Sequence, residues 1–194
     1  MEKRCATAER CSKETKIEVS LCLDGEGRID VATGFGMLDH MLTLTFFWAG
    51  MDLTLRCKGD LEVDAHHTVE DCAMVIGEAM QKALGDRAGI ARVGYGRVPM
   101  DEALGFTALD ISNRPFLVYE AEMPQERMGE YDACLTEEFM RAFAVNGGLT
   151  LHMKALYGRN SHHITEALFK SLGLALKDAV KIEGSGVTST KGVL

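Results

Sequence analysis

The chain has 194 residues, a hydrophobic fraction of 46% and a formal net charge of −8. An acidic chain without a long basic tract is a poor partner for nucleic acid or an anionic membrane surface, so we expect neither. The longest apolar run, residues 41–51, is too short to cross a bilayer, which takes about 20 residues. The charged first 16 residues do not resemble a signal peptide, so we expect a cytoplasmic protein with a single domain, residues 1–194.

Six cysteines occur at positions 5, 11, 22, 57, 72 and 134, and no two of them form a Cys-x-x-Cys motif. In a cytoplasmic protein this pattern favours reduced thiols over a disulfide framework or a zinc ribbon. We therefore expect no disulfide bond.

The elements are predicted from polar and apolar periodicity, taken in chain order. Residues 1–13 are polar and predicted to be loose. Alternation over 15–23 predicts a strand, and a turn at 24–27 with an apolar segment at 28–32 predicts the second strand of a hairpin. Helices are predicted at 37–49, 66–84, 136–145 and 162–182. Further strands are predicted at 52–58, 90–98, 105–111, 115–122 and 149–156, with a loop at 99–103.

One motif occurs twice: His66-His67-x-x-Glu70 returns as the same pattern at 162–166. The match extends without a gap, since 53–58 aligns with 149–154 and Gly77 aligns with Gly173. We therefore predict two homologous halves, about 14–89 and 90–194, each with the order β-β-α-β-α. The predicted fold class is α/β (α+β), with a layer of four helices sandwiched between two small mixed sheets.

Helix geometry indicates how each motif binds metal. His66 and Glu70 are four residues apart and His67 and Glu70 are three apart, so each pair shares a helix face. Adjacent histidines diverge by roughly 100° around the axis, which indicates that they serve different ions. The alternative is a pair of capped amphipathic helices with surface histidines. Because the two copies hold four of the six histidines, we favour metal sites.

His40 lies on the helix before the first motif, and its counterpart in the second half is Glu138. Either residue is a candidate for completing a ligand set, although Glu138 also fits an ordinary acidic first helical turn. Imidazole and carboxylate ligands without thiolate suit Mn, Fe, Co, Ni or Zn. Cationic and hydroxyl side chains that could hold a phosphate are Arg92, Arg97, Arg114, Lys170, Ser189, Thr190 and Lys191.

Several segments together carry a family resemblance. They are Lys13-Glu14-Thr15-x-Ile17, Gly34-Phe35-Gly36-Met37-Leu38-Asp39-His40-Met41-Leu42, Asp64-x-His66-His67-Thr68-Val69-Glu70-Asp71, Met100-Asp101-Glu102-Ala103, Asp110-x-Ser112-x-Arg114-Pro115, Asn160-x-His162-His163-x-x-Glu166-Ala167-x-Phe169-Lys170 and the last six residues, 189–194. The chain resembles imidazoleglycerol-phosphate dehydratase. The resemblance implies a fold like the second domain of ribosomal protein S5, and a homo-oligomeric shell of 24 subunits with active sites between subunits.

The family reaction removes water from D-erythro-imidazole glycerol phosphate, giving imidazole acetol phosphate in histidine biosynthesis. The resemblance implies two Mn²⁺ per subunit, or other divalent ions. One would take His40, His67, Glu70 and His163. The other would take His66, His162, Glu166 and Glu138, the last standing where most members have histidine. These ions would stabilise an imidazolate form of the substrate ring.

The same resemblance assigns substrate contacts beyond the metal ligands. The phosphate would bind near Arg92, Arg114, Lys170, Ser189, Thr190 and Lys191, while the ring would lie among the motif histidines. Glu14 would be the acid–base carboxylate, with Glu70 and Glu166 as further catalytic carboxylates. Two alternatives use the same ligands: a dinuclear metal hydrolase and a non-catalytic metal-binding shell.

Overall fold

The computed structural model describes residues 3–192 and residue 194, so residues 1, 2 and 193 of the predicted terminal segments lie outside the described residues. The helices are α1 (Gly36–Ala49), α2 (His66–Leu84), α3 (Cys134–Gly147) and α4 (Ser161–Ala179). The strands of the first half are β1 (Cys5–Cys11), β2 (Thr15–Cys22), β3 (Ile29–Ala32) and β4 (Asp52–Gly59). Those of the second half are β5 (Val93–Met100), β6 (Ala103–Asp110), β7 (Phe116–Glu120), β8 (Arg127–Met128), β9 (Tyr131–Asp132) and β10 (Thr150–Tyr157).

The two four-stranded sheets have the same connectivity. Their orders are β1-β2-β4-β3 and β5-β6-β10-β7, and in each sheet the last pair is parallel while the others are antiparallel. The predicted α+β fold with a duplicated, mixed-sheet architecture is therefore confirmed. Each half contains one more strand than the predicted β-β-α-β-α order, and the second half adds the short β8–β9 ribbon.

The helices pack between the sheets and pair across the two halves, α2 with α3 and α1 with α4. Two glycines at equivalent positions of the repeat allow these close contacts. A Cβ on Gly77 would lie 2.8 Å from the backbone nitrogen of Gly147, and a Cβ on Gly173 would lie 2.4 Å from the carbonyl oxygen of Thr45. The Gly77/Gly173 match in the sequence thus marks the points where helices from opposite halves touch.

The prediction that residues 1–13 are loose is wrong for residues 5–11, because β1 pairs along its whole length with β2. Ala8 is the one buried hydrophobic residue of this edge strand. The strand therefore lacks the apolar alternation that identifies a half-buried strand. The expectation of reduced thiols is also wrong for two cysteines. The β1–β2 register places Cys5 opposite Cys22, and they form a disulfide with a Cα–Cα distance of 4.0 Å.

The predicted β2–β3 hairpin is wrong as well, since β4 lies between these strands and β3 runs parallel to it. The reason lies in Asp52 at the start of β4. Its Oδ1 accepts the backbone N–H groups of Glu26 at 2.7 Å and Arg28 at 2.9 Å. These bonds hold the loop between β2 and β3 against the start of β4. The chain is thereby directed past β4 to the edge of the sheet, where β3 lies.

The predicted loop at 99–103 is shorter in the structure, because β5 and β6 continue to a two-residue turn formed by Asp101 and Glu102. In the described part of the chain, no helix is long and apolar enough to span a membrane.

Candidate functional site

Both motif helices begin in the same way. Asp64 Oδ1 accepts the backbone N–H of His66 at 2.8 Å, and Asn160 Oδ1 accepts that of His162 at 2.9 Å. These bonds satisfy N–H groups that the first helical turn leaves without a partner. The two histidine pairs are therefore presented at the first turns of α2 and α4, as their shared motif predicts.

A compact group of three candidate ligands joins α1 to α4. His40 Nε2 lies 3.1 Å and His162 Nε2 lies 3.0 Å from the same oxygen, Glu166 Oε1. In the described residues this is the group of at least three His, Cys, Asp or Glu side chains whose ligand atoms all lie within 4.8 Å of one another. Two imidazole nitrogens and a carboxylate oxygen form a suitable ligand set for a divalent ion.

Glu166 is nearly buried, with 7% of its surface exposed. Burial acts to raise the pKa of this carboxyl, but hydrogen bonds from Lys170 and His40 outweigh it and lower the pKa to about 2. Lys170 Nζ lies 2.6 Å from Glu166 Oε2 and 3.3 Å from the sulfur of Met100. Lys170 thus neutralises Glu166 in this chain.

The equivalent region of the first half is arranged differently. His66 Nε2 lies 3.9 Å from Glu70 Oε2, and Glu138 Oε2 lies 3.9 Å from the Nε of Arg141 on its own helix. These residues do not form a three-ligand group within the described part of one chain. Metal binding by Glu138 therefore stays a prediction. The repeat equivalent of Lys170 is Met74, so Glu70 has no matching lysine.

The second histidine of each motif has a different environment from the first. His67 Nδ1 lies 3.0 Å from Asp60 Oδ2, and His163 Nδ1 lies 2.7 Å from Glu102 Oε2. The hydrogen bond with Asp60 raises the pKa of His67, and the hydrogen bond with His163 is the main cause that lowers the pKa of Glu102 to about 2. Each ring is thereby fixed at Nδ1.

The other nitrogen of each of these rings faces a hairpin turn. His67 Nε2 lies 3.9 Å from Glu14 Oε1 in the β1–β2 turn, and His163 Nε2 lies 3.8 Å from Asp101 Oδ2 in the β5–β6 turn. The predicted acid–base residue Glu14 is thus next to a predicted metal ligand. The predicted set of His40 with His67, Glu70 and His163 is not assembled within the described residues of one chain, and the division of ligands between ions stays a prediction.

Two of the predicted phosphate-binding residues, Arg92 and Arg114, meet at Asp110. Arg92 donates two bonds to the carboxylate of Asp110, at 2.6 and 2.9 Å, and a third to the carbonyl oxygen of Thr188 at 2.7 Å. Arg114 Nη2 lies 3.8 Å from Asp110 Oδ2 and is largely exposed. Ser189, Thr190 and Lys191 directly follow Thr188 in the sequence, and their part in binding phosphate stays a prediction.

The cluster of Arg92 and Arg114 and the histidine cluster of the second half lie at opposite ends of the β5–β6 hairpin. Arg92 directly precedes β5 and Asp110 ends β6, whereas Asp101 and Glu102 form the turn at the other end, next to His163. A strand rises about 3.3 Å per residue, so the eight residues of β6 separate the two ends by roughly 20 Å. Lys170 belongs to the histidine end, through its contact with Glu166, rather than to the cluster of Arg92 and Arg114.

Three acidic side chains at these clusters were not predicted as site residues: Asp60, Glu102 and Asp110. Glu102 and Asp110 stand within segments that carry the family resemblance, and this was the signal that could have indicated them. Asp60 gave no such signal, because its repeat equivalent is Leu156. Its contact with His67 arises from the loop between β4 and α2.

Comparisons with known proteins identify the family of this chain. Residues 33–176 match the family model described as imidazoleglycerol-phosphate dehydratase. The chain belongs to this family. It is 48% identical to the imidazoleglycerol-phosphate dehydratase of Maridesulfovibrio salexigens and 53% identical to that of Oleidesulfovibrio alaskensis, each over 100% of both chains. Family membership makes it an enzyme of the hydro-lyase class.

Solved structures of the family have the same fold. The crystal structure of imidazoleglycerol-phosphate dehydratase from Staphylococcus aureus is 35% identical and covers 92% of this chain and 99% of that one, with a TM-score of 0.83. The structure of the Pyrococcus furiosus protein, in complex with (S)-C348, is 38% identical and covers 96% and 99%, with a TM-score of 0.85.

Proposed function

We propose that this chain dehydrates D-erythro-imidazole glycerol phosphate to imidazole acetol phosphate in histidine biosynthesis, at a dinuclear metal site that stabilises an imidazolate. The observation that carries this proposal is the meeting of His40, His162 and Glu166 from two different helices. Membership of the dehydratase family supplies the reaction. The cytoplasmic location remains a prediction.

The donor set fits divalent ions. The Nε2 atoms of His40 and His162 both lie within hydrogen-bond distance of one buried carboxylate oxygen, which an ion between the three atoms would satisfy. His67 and His163 are held at Nδ1 by carboxylates, which leaves the lone pair of each Nε2 available to a metal ion. The residues that would hold two Mn²⁺, or other divalent ions, are His40, His66, His67, Glu70, Glu138, His162, His163 and Glu166. When bound, the ions would supply stabilisation for negative charge on the substrate ring.

The separation between the two ends of the β5–β6 hairpin supports a site shared between copies. A substrate with a short glycerol chain does not extend roughly 20 Å from ring to phosphate. The phosphate cluster of one chain therefore serves the histidine cluster of another copy. This arrangement agrees with the homo-oligomer, of 24 subunits, that the family resemblance implies.

The side chains of the chain itself then have distinct tasks. Arg92 and Arg114 bind the phosphate through charge-assisted hydrogen bonds, and Lys191 with the hydroxyl groups of Ser189 and Thr190 covers it from the tail. Glu14 lies in a tight turn beside His67, and its carboxylate moves the proton at the carbon next to the imidazole ring. A positioned acid–base group contributes about 10²–10⁴-fold to the rate.

The test is to incubate the Mn²⁺-loaded protein with imidazole glycerol phosphate and to detect the keto product, with generic phosphate esters assayed in parallel. Release of inorganic phosphate from the esters without dehydration would favour a dinuclear hydrolase instead. Metal binding without either reaction would favour a non-catalytic shell.

The shared site has its own test. Removing the metal should lower the assembly state and abolish activity together, measured by size-exclusion chromatography with light scattering. A fully active monomer would contradict a site shared between copies.

A further inference from the structure

Two carboxylates hold the second histidine of each motif in the same way. An ionised carboxylate only accepts hydrogen bonds, so the short contacts from Asp60 to His67 and from Glu102 to His163 place the ring proton on Nδ1. In a neutral imidazole the lone pair then lies on Nε2. The Nε2 of each ring faces the hairpin turn of its own half, so the two rings have equivalent orientations in the two halves.

The two carboxylates do not come from equivalent positions of the repeat. Asp60 follows β4 and precedes the motif helix of its own half, whereas Glu102 belongs to the β5–β6 turn. The residue equivalent to Asp60 is Leu156, and the turn equivalent to that of Glu102 holds Glu14, which faces the opposite nitrogen of the ring. The duplication alone therefore does not explain why both rings are bonded at Nδ1.

The two carboxylates differ in their other contacts. Glu102 Oε1 accepts the backbone N–H groups of Arg159 at 3.1 Å and Asn160 at 2.9 Å, directly before α4, so this side chain is held in place. The side chain of Asp60 is 17% exposed, and its Oδ1 is buried without a hydrogen-bond partner in the described residues. The bond to His67 is therefore the side-chain contact that orients Asp60.

We propose that Asp60 and Glu102 are positioning residues, which fix His67 and His163 as Nδ1–H tautomers so that each Nε2 binds a metal ion. The inference rests on the proposed function only for the metal, since the tautomer is a property of the metal-free chain. Outer partners of this kind typically change metal affinity by about 10–100-fold when they are removed.

The experiment compares Asp60→Ala and Glu102→Ala with the conservative variants Asp60→Asn and Glu102→Gln. The carbonyl oxygen of the amide side chains can still accept a hydrogen bond from Nδ1. Mn²⁺ affinity is measured by competition with a chelator, and the ring tautomers by ¹H–¹⁵N NMR of the metal-free protein. Glu120→Gln is the matched control, because Glu120 on β7 forms an exposed ion pair with Lys154 on the neighbouring strand β10.

We expect the alanine variants to weaken Mn²⁺ binding about 10–100-fold and to lose the Nδ1–H signal of the affected ring. The amide variants should restore much of both, and the control should change neither. Unaltered affinity and tautomer in a folded alanine variant would overturn the inference, as would loss of affinity with an unchanged tautomer. If the unmodified protein binds Mn²⁺ but does not dehydrate the substrate, the proposed function fails while this inference stands.

Discussion

Asp71 allows a test of how Glu14, the proposed acid–base carboxylate, is held in place. Asp71 follows the motif residue Glu70 on α2 and is buried, with 4% of its surface exposed. Its Oδ2 accepts the hydroxyl of Thr15 at 2.5 Å, and its Oδ1 lies 3.0 Å from the Nε of Arg10. These contacts tie both arms of the β1–β2 hairpin, on either side of Glu14, to the motif helix.

The change Asp71→Asn keeps the shape of the side chain but removes its charge. The amide oxygen can still accept the Thr15 hydroxyl, so the change replaces a hydrogen bond to a charged group, about 1.5–3 kcal/mol, by a neutral one, about 0.5–1.5 kcal/mol. Arg10 is 40% exposed, so the loss of its pairing adds little. We expect the free energy of unfolding to fall by about 1–1.5 kcal/mol. Because Glu14 becomes less well positioned beside His67, kcat should fall at least about 10-fold, a part of what acid–base catalysis contributes. KM should change little, since the phosphate cluster lies at the far end of another hairpin.

The assay combines steady-state kinetics with denaturant unfolding at one fixed protein concentration, because assembly affects apparent stability. Asp30→Asn is the control, since Asp30 pairs with Arg56 on the exposed face of the same sheet. A double-mutant cycle with Thr15→Val should give a coupling of about 0.5–3 kcal/mol. A stability loss of the expected size with kcat unchanged would refute the role of Asp71 in positioning Glu14.

Three further predictions concern other residues of the site. Lys191→Ala should raise KM by the equivalent of about 1.5–3 kcal/mol with metal content unchanged, and an unchanged KM would mean that the tail does not bind phosphate. Glu138→Ala should lose one ion per subunit, and Glu138→His should favour Zn²⁺ or Ni²⁺ over Mn²⁺. If the alanine variant keeps two ions and full turnover, Glu138 is an ordinary helix-start residue. The pKa of Glu166 is held at about 2, below its ordinary 4.5, so its contribution to the stability of metal-free protein is complete above pH 4.5 and is lost as the pH falls towards 2. Lys170→Met should move that loss to higher pH in thermal unfolding, and an unmoved profile would contradict the pairing.

The motif helices were the most predictable part of this fold. The predicted range 66–84 coincides with α2, because an amphipathic period, a polar start and a glycine at 85 all indicate the same element. The alignment of His40 with Glu138 is also supported, since α1 and α3 both have 14 residues and these two occupy the same helical position. Local periodicity was sufficient wherever one face of an element is buried.

The errors arose where pairing between distant segments determines the structure. Edge strand β1 has polar residues on both faces, and its order depends on the pairing with β2. The Cys5–Cys22 bond depends on the same register, which no cysteine spacing reveals. The position of β3 depends on Asp52 binding a loop more than 20 residues earlier in the chain. Asp60 escaped prediction for a related reason, since its partner His67 is identified only once the loop between them is folded.

Aligning the two halves of the duplication shows at which positions the two halves of the site differ. Their backbones match, yet the second half places Lys170 beside Glu166 where the first half has Met74 beside Glu70. Conversely, His40 approaches Glu166, whereas Glu138 lies near Arg141, whose repeat equivalent is Thr43. Lys170 places a positive charge on Glu166, whereas Arg141 places one beside Glu138. The two clusters therefore have different charge distributions. Two ions bound in such unequal surroundings would differ in Lewis acidity, which suits a substrate whose imidazole ring presents two nitrogens and whose glycerol chain, on one side of the ring, loses the water.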